Sequence, residues 1–140
     1  MSFKVSLPVR FADCDPAGIA YFPRLLALLD AAIEDWTAAT LAVDRSVMHG
    51  ARRLGLPTVR LETDFHAPAR LGTILEWEVC IDRVGQTSVA LVVVARHGNL
   101  AFLTARLVQV LTCLDTMRPK PWPADWRDRL TQQSDCAAPP

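Results

Sequence analysis

Two aspartates, Asp13 and Asp15, stand two positions apart in Arg10-Phe11-Ala12-Asp13-Cys14-Asp15-Pro16-Ala17-Gly18. Pro16 and Gly18 force a turn after them. Pro23 then opens a long apolar helix. A carboxylate is thereby delivered to the mouth of a helix N-terminus, where free backbone N–H groups and the positive end of the helix dipole gather. Such donors can stabilise an oxyanion, and a carboxylate beside them can act as nucleophile or base. The residues alone leave a second reading open. Asp-Pro-Ala-Gly also satisfies a type I turn, with Asp first, Pro next and Gly last. Asp30 is the other carboxylate of interest, mid-helix between Leu26 and Ile33. A buried carboxylate is costly unless paired. Asp30 therefore reads as a helix-surface residue, as the partner of Arg24 or of a neighbouring chain, or as a ligand contact.

The remaining chemistry-bearing residues form no constellation. His49, His66 and His97 are isolated, and each reads as a loop or sheet-surface residue. His66 lies in Phe65-His66-Ala67-Pro68-Ala69-Arg70 and could line a cleft. Cys14 sits between the aspartates without a positioned histidine, so it reads as a small packed residue. Asp13, Asp15 and Asp30 lack the dense oxygen-ligand spacing of a calcium loop, and no metal or cofactor is required. There is no Walker loop, dinucleotide fingerprint or G-x-S-x-G.

The elements that must hold these residues follow from periodicity. Phe3, Val5, Leu7, Val9 and Phe11 alternate with polar residues over 3 to 11, which predicts a strand. Pro8 makes it an edge or irregular strand. Pro23 to about Ala39 predicts one helix, with Pro at the first helical position. Its apolar residues, from Leu25 to Trp36, cover more than one stripe, which predicts a largely enclosed helix. A second short helix is expected within 40 to 56. Four strands follow: Thr58 to His66, Thr73 to Val84, Thr87 to Arg96 and Ala101 to Cys113. Gly85-Gln86 and Gly98-Asn99 mark hairpins. Pro119, Pro121 and Pro123 end the sheet. Ala124 to Gln132 predicts a short helix with Trp126 and Leu130 packing back. Residues 1–133 thus read as one domain, and 134–140 as a frayed tail.

Composition narrows the function classes. The 140 residues suit one compact domain, and a 51% hydrophobic content supports a substantial core. With 15 basic and 15 acidic residues, formal net charge is zero. Neither nucleic acid nor a membrane surface is indicated as a partner. The apolar runs are too short to span a bilayer, and no signal-peptide h-region is present. Cys14, Cys80, Cys113 and Cys136 form no C-x-x-C pair, so free thiols in a cytoplasmic protein are expected.

DCDPAG, an aromatic residue before Pro23, and Leu29-Asp30-Ala31-Ala32 within the helix together resemble the 4-hydroxybenzoyl-CoA thioesterase family of the hotdog superfamily. The specific match covers about the first third of the chain. The order of elements over 3 to 115 is compatible with the rest. The resemblance implies an α+β hotdog fold, a curled antiparallel five-stranded sheet wrapped around a long central helix. It implies hydrolysis of an aromatic acyl-CoA, 4-hydroxybenzoyl-CoA or a close hydroxybenzoyl-CoA, to the free acid and CoA. Asp15 falls on the family's catalytic aspartate. The Phe22 backbone N–H, flanked by Gly18, falls on the donor that polarises the thioester carbonyl. Asp30 falls on the residue that meets the ring hydroxyl. The family's basic cluster after the third strand is reduced here to Arg83, with Arg60, Arg70 and Arg106 as further candidates for the CoA phosphates. A homodimer or homotetramer with the cleft at the seam is implied. The rival readings are a hydrolase of aliphatic acyl-CoA or acyl-carrier-protein thioesters, and a non-hydrolytic acyl-thioester-binding module.

Overall fold

The computed structural model describes residues 2–134. The expected frayed tail therefore lies, apart from Ser134, outside the described residues. In chain order the elements are β1 (Phe3–Pro8), α1 (Phe22–Leu41), α2 (Arg45–His49), β2 (Leu54–Gly55), β3 (Thr58–Phe65) and β4 (Ile74–Val84). There follow β5 (Ser88–His97), β6 (Leu100–Val110), β7 (Thr112–Cys113), β8 (Arg118–Pro119) and α3 (Ala124–Gln133). The main sheet is antiparallel and five-stranded, in the order β1-β4-β5-β6-β3. This is the hotdog fold expected from the sequence, with a long helix and a five-stranded sheet.

The period-two pattern explains which face of the sheet meets the helix. In β4, Leu75, Trp77, Val79 and Ile81 are each at most 2% exposed and belong to the core. From α1, Leu25, Leu29, Ile33 and Trp36 reach the same core. A sheet apolar on one face must bury it, and α1 is the element that covers it. The long strands β4, β5 and β6 take the central positions, and β1 and β3 are the edges. The tail braces one end. Trp122 Nε1 donates to Ser88 O (3.0 Å), and Arg127 Nη2 donates to Gly85 O (2.8 Å). Trp126 and Leu130 are buried as expected.

Several expectations are corrected. The first strand ends at Pro8, and Phe11 opens a 3-10 turn over Phe11–Asp13. There Arg10 O accepts Asp13 N–H, and Asp13 Oδ2 accepts Arg10 N–H, so the chain turns away from the sheet. The helix begins at Phe22, which puts Pro23 second rather than first. Its wet side holds Arg24, Glu34 and Asp35 as their charges suggest, but it is wider than expected, because Ala27, Asp30, Ala38 and Ala39 are exposed too. The last long strand breaks at Leu111, whose N–H is taken by Thr87 O and whose O accepts Lys120 N–H. β7 leaves the main sheet and joins a small sheet, β2-β7-β8. Cys14 and Cys113 are free. Cys80 is disulfide-bonded, so the expectation of free thiols fails there.

Candidate active site

The loop from Arg10 to Tyr21 is sewn to its neighbours by the backbone. Asp15 N–H donates to Ile19 O (3.0 Å) and Gly18 N–H to Asp15 O (3.0 Å), which closes the Asp-Pro-Ala-Gly turn. Tyr21 N–H donates to Asp13 O (2.8 Å). A second segment braces the loop from outside. Ala20 N–H donates to Ala69 O (2.7 Å), Leu71 N–H to Gly18 O (3.1 Å), and Ile19 bridges Arg70. Gly18 has φ +79, the left-handed conformation that glycine adopts without cost. Its N–H is spent on Asp15 O, so Gly18 shapes the turn and leaves no donor of its own.

The turn reading of Asp15 is therefore true, and it does not compete with chemistry. Only Asp15 Oδ1 is engaged, accepting Ala17 N–H at 2.9 Å. Oδ2 has no hydrogen-bond partner among the described residues. The half-buried carboxylate opens into a hollow of about 410 Å³ lined by Phe11, Cys14, Pro16, Gly18 and Leu71. Asp13 acts through its backbone and one carboxylate oxygen to hold the loop.

At the far end of the loop, α1 presents its first turn. Arg24 and Leu25 both donate to Tyr21 O, and Pro23 has no N–H. The Phe22 N–H is left without an acceptor among the described residues. It is a backbone donor at the positive end of a 20-residue helix. The Phe22 ring meets Phe65 edge-on at 6.4 Å, which ties the helix start to the end of β3. Phe22, Leu25, Phe65, His66 and Ala69 surround a second hollow of about 300 Å³. The His66 ring shares a 2.9 Å hydrogen bond with Thr104 Oγ1 and stands at its lip.

Asp30 and Arg83 lie apart from these two hollows. Asp30 is eight residues beyond Phe22, about 12 Å along the helix axis. It is exposed, forms no ion pair among the described residues, and borders a cavity of about 110 Å³ lined by Leu26, Leu29, Ile33, Thr58, Leu61 and Leu107. Arg83 lies on the opposite face of the sheet. Among the described residues, no three His, Cys, Asp or Glu side chains gather in a way that could hold a metal ion. No helix among them is long and apolar enough to cross a membrane.

Sequence reasoning passed over Phe11 and Leu71, which are 84% and 53% exposed beside Asp15. Alternation read Phe11 as a strand terminus, and its exposure follows from the 3-10 turn. It also passed over Thr63, whose Oγ1 is buried without a partner on β3, between Leu61 and Phe65. A threonine in a strand carries no signal that its hydroxyl lacks an acceptor.

A long helix packed on a five-stranded antiparallel sheet is the architecture of the hotdog fold. The family model of the thioesterase-like superfamily matches residues 9–130. A 1,4-dihydroxy-2-naphthoyl-CoA hydrolase of Synechococcus elongatus is 28% identical over 127 residues, covering 91% of this chain and 93% of the relative. A 4-hydroxybenzoyl-CoA thioesterase of Pseudomonas sp. (strain CBS-3) is 32% identical over 81 residues, 57% of each chain. A crystal structure of a thioesterase superfamily protein from Jannaschia sp. CCS1 superposes with a TM-score of 0.88. It is 26% identical, with 96% of this chain and 94% of that one covered. The chain belongs to the thioesterase-like superfamily. It is an acyl-CoA thioesterase of the hotdog fold.

Proposed function

We propose that the enzyme hydrolyses a hydroxyaryl-CoA, with a single-ring hydroxybenzoyl group such as 4-hydroxybenzoyl as the acyl part. The observation that carries the reading is the unengaged Phe22 N–H at one end of the loop whose other end holds Asp15 with a free Oδ2. The thioester carbonyl oxygen takes the Phe22 N–H, which stabilises the negative charge that develops on it. Asp15 either attacks the carbonyl carbon or deprotonates the water that does. The carbon–sulfur bond breaks and CoA leaves as a thiolate. If water attacked, the proton that Asp15 took passes to the thiolate; if Asp15 attacked, water then hydrolyses the anhydride on Asp15, which frees the acid, restores the carboxylate and supplies the proton. Asp30 accepts a hydrogen bond from the ring hydroxyl. Its lack of an ion-pair partner leaves the carboxylate available, and the apolar cavity beside it takes the ring. A cavity of about 110 Å³ is on the scale of one benzene ring, since an engineered apolar cavity of roughly 150 Å³ binds benzene. The relative acting on a dihydroxynaphthoyl-CoA aligns over more of the chain, which favours a two-ring acyl group as the second reading.

The sheet edges support a homodimer. Among the described residues β3 is an unpaired edge, and it exposes Val59, Leu61 and Phe65. Such edges are normally covered or paired. A second copy added there would close the cleft between Phe65 and Asp30, and two such dimers would make a tetramer. A dilute sample sedimenting as a fully active monomer would contradict this assembly.

Steady-state hydrolysis across 4-hydroxybenzoyl-, benzoyl-, 1,4-dihydroxy-2-naphthoyl- and straight-chain acyl-CoA tests the reading. The highest kcat/KM is expected for the hydroxybenzoyl thioester. A preference for straight-chain acyl groups would overturn it.

A further inference from the structure

We infer that Thr58, held by the buried amide of Gln109, is a hydrogen-bond donor in the cavity beside Asp30, and that it selects a ring hydroxyl over a ring amino group. The inference rests on the hydroxyaryl thioesterase reading and adds to it the residues that tell one ring substituent from another.

Gln109 is the side chain that neither the fold nor the reaction accounts for. It is 1% exposed on β6, on the face of Leu107, which belongs to the core. Its Oε1 is buried without a partner, and its Nε2 donates to Thr58 Oγ1 at 3.4 Å. An amide in an apolar interior costs free energy where its groups go unbonded. A leucine would avoid that cost and would leave Thr58 unheld.

Thr58 reaches Gln109 through a β-bulge. Leu61 and its cross-strand partner Leu107 both border the cavity. Strict alternation back from Leu61 would turn Arg60 outward, Val59 inward and Thr58 outward. The ladder instead shifts between Thr58 and Arg60, and Thr58 pairs with Gln109. Residues directly opposite share a face, so Thr58 returns to the side of Leu61 and Leu107. There it borders the same cavity of about 110 Å³ as Asp30. Bulges re-aim side chains in this way and recur beside active sites.

This is the end of the acyl path remote from the thioester. Phe65, at the end of β3, packs on Phe22 at the helix start, and Thr58 begins the same strand. Asp30 lies eight residues beyond Phe22 on α1. Strand and helix carry Thr58 and Asp30 away from the Phe22 N–H together.

The two groups make opposite demands. A carboxylate at Asp30 only accepts. Thr58 Oγ1 already accepts from Gln109, and its O–H has no acceptor among the described residues, so it is left to donate. A phenolic hydroxyl donates and accepts at once and satisfies both. An aromatic amino group can donate to Asp30, but its lone pair is drawn into the ring and serves Thr58 poorly. Thr58 is exposed in the single chain. The dimer proposed above would cover β3 and exclude the water that competes for this bond.

The test compares kcat/KM for 4-hydroxybenzoyl-CoA with that for 4-aminobenzoyl-CoA in wild type, Thr58→Val, Thr58→Ser and Gln109→Met. Both substrates are measured on one preparation, so their ratio does not depend on the folded fraction. Val keeps the branched shape without the hydroxyl and should lower the hydroxy-to-amino ratio about two- to tenfold, the loss of one neutral hydrogen bond. Ser keeps the hydroxyl and should hold the wild-type ratio. Gln109→Met removes the amide and should shift the ratio in the direction of Thr58→Val. A wild-type ratio in Thr58→Val, or an equal fall in Thr58→Ser, would overturn the inference. A wild-type ratio in Gln109→Met would remove Gln109 from it. Calorimetry with the free acids, 4-hydroxybenzoate against 4-aminobenzoate, reads the contact without turnover. If wild type prefers straight-chain acyl-CoA but Thr58→Val still narrows the gap in affinity between the two acids, the contact stands and the hydroxybenzoyl reading falls. If wild type prefers 4-hydroxybenzoyl-CoA and neither ratio moves in Thr58→Val, the reading stands and the contact falls.

Discussion

Asp15 and Asp30 are carried by one continuous stretch, but they sit in opposite surroundings. Asp15 is half-buried in a loop whose backbone is bonded at Asp15 itself, Gly18, Ala20 and Tyr21. One of its oxygens is fixed and the other is free. Asp30 is exposed on a regular helix, at the rim of an apolar cavity, with no bond among the described residues to fix its carboxylate. A group that does chemistry must be held where the reacting atom will be. A group that recognises a hydroxyl needs only to be within reach and unspent. In the proposed function the bonded loop does the chemistry and the helix reads the ring hydroxyl.

The sharpest way to break the contrast is to remove each carboxylate in turn. Asp15→Asn should lower kcat at least ~10²-fold on every thioester the enzyme accepts. The ratio of activity on 4-hydroxybenzoyl-CoA to that on benzoyl-CoA should stay as in wild type. Asp30→Ala should do the reverse. Activity on 4-hydroxybenzoyl-CoA should fall about ten- to a hundredfold, the loss of a hydrogen bond to a charged acceptor, and benzoyl-CoA should be spared. Equal losses on both substrates would make Asp30 structural. A smaller effect is expected at the loop itself. Gly18→Ala meets no atom within 4 Å, so its cost is the left-handed backbone alone, about 1–2 kcal/mol in a thermal or urea melt. A neutral result would show that the loop relaxes freely and that its rigidity is not required.

Different parts of this arrangement were legible in the sequence to different degrees. The strands were visible because residues such as Leu75, Trp77, Val79 and Ile81 alternate with Glu76, Glu78 and Asp82, a pattern that one buried Cys80 does not hide. The loop was visible because Asp15, Pro16 and Gly18 are residues that a turn demands. What stayed hidden depends on register and on the third dimension. Arg60, Arg83 and Arg106 are each more than 20 residues from the next, yet they border one hollow, because the β3 and β4 ladders shift register at Thr58/Arg60 and Ile81/Arg83. Alternation alone would have sent Arg83 into the core. Leu111 reads as one more strand residue until Thr87 and Lys120 claim its backbone. The exposed side of α1 is wider than its charged residues Arg24, Glu34 and Asp35, because Ala27, Ala38 and Ala39 carry no sign of which side they face. The vacant donor at Phe22 was implied by resemblance. Its physical reason is that two N–H groups converge on Tyr21 O beside a proline, a geometry that no sequence pattern encodes.

The central claim is that Asp15 acts on the thioester and does not merely close a turn. Asn keeps the side-chain oxygen that accepts Ala17 N–H, so the turn survives the substitution. The most direct measurement is the single-turnover rate of CoA release from 4-hydroxybenzoyl-CoA by Asp15→Asn, with enzyme in excess and Tm taken on the same preparation. The account predicts a rate at least ~10²-fold below wild type and an unchanged Tm. A wild-type rate, or a loss of Tm with full activity per folded molecule, would contradict it.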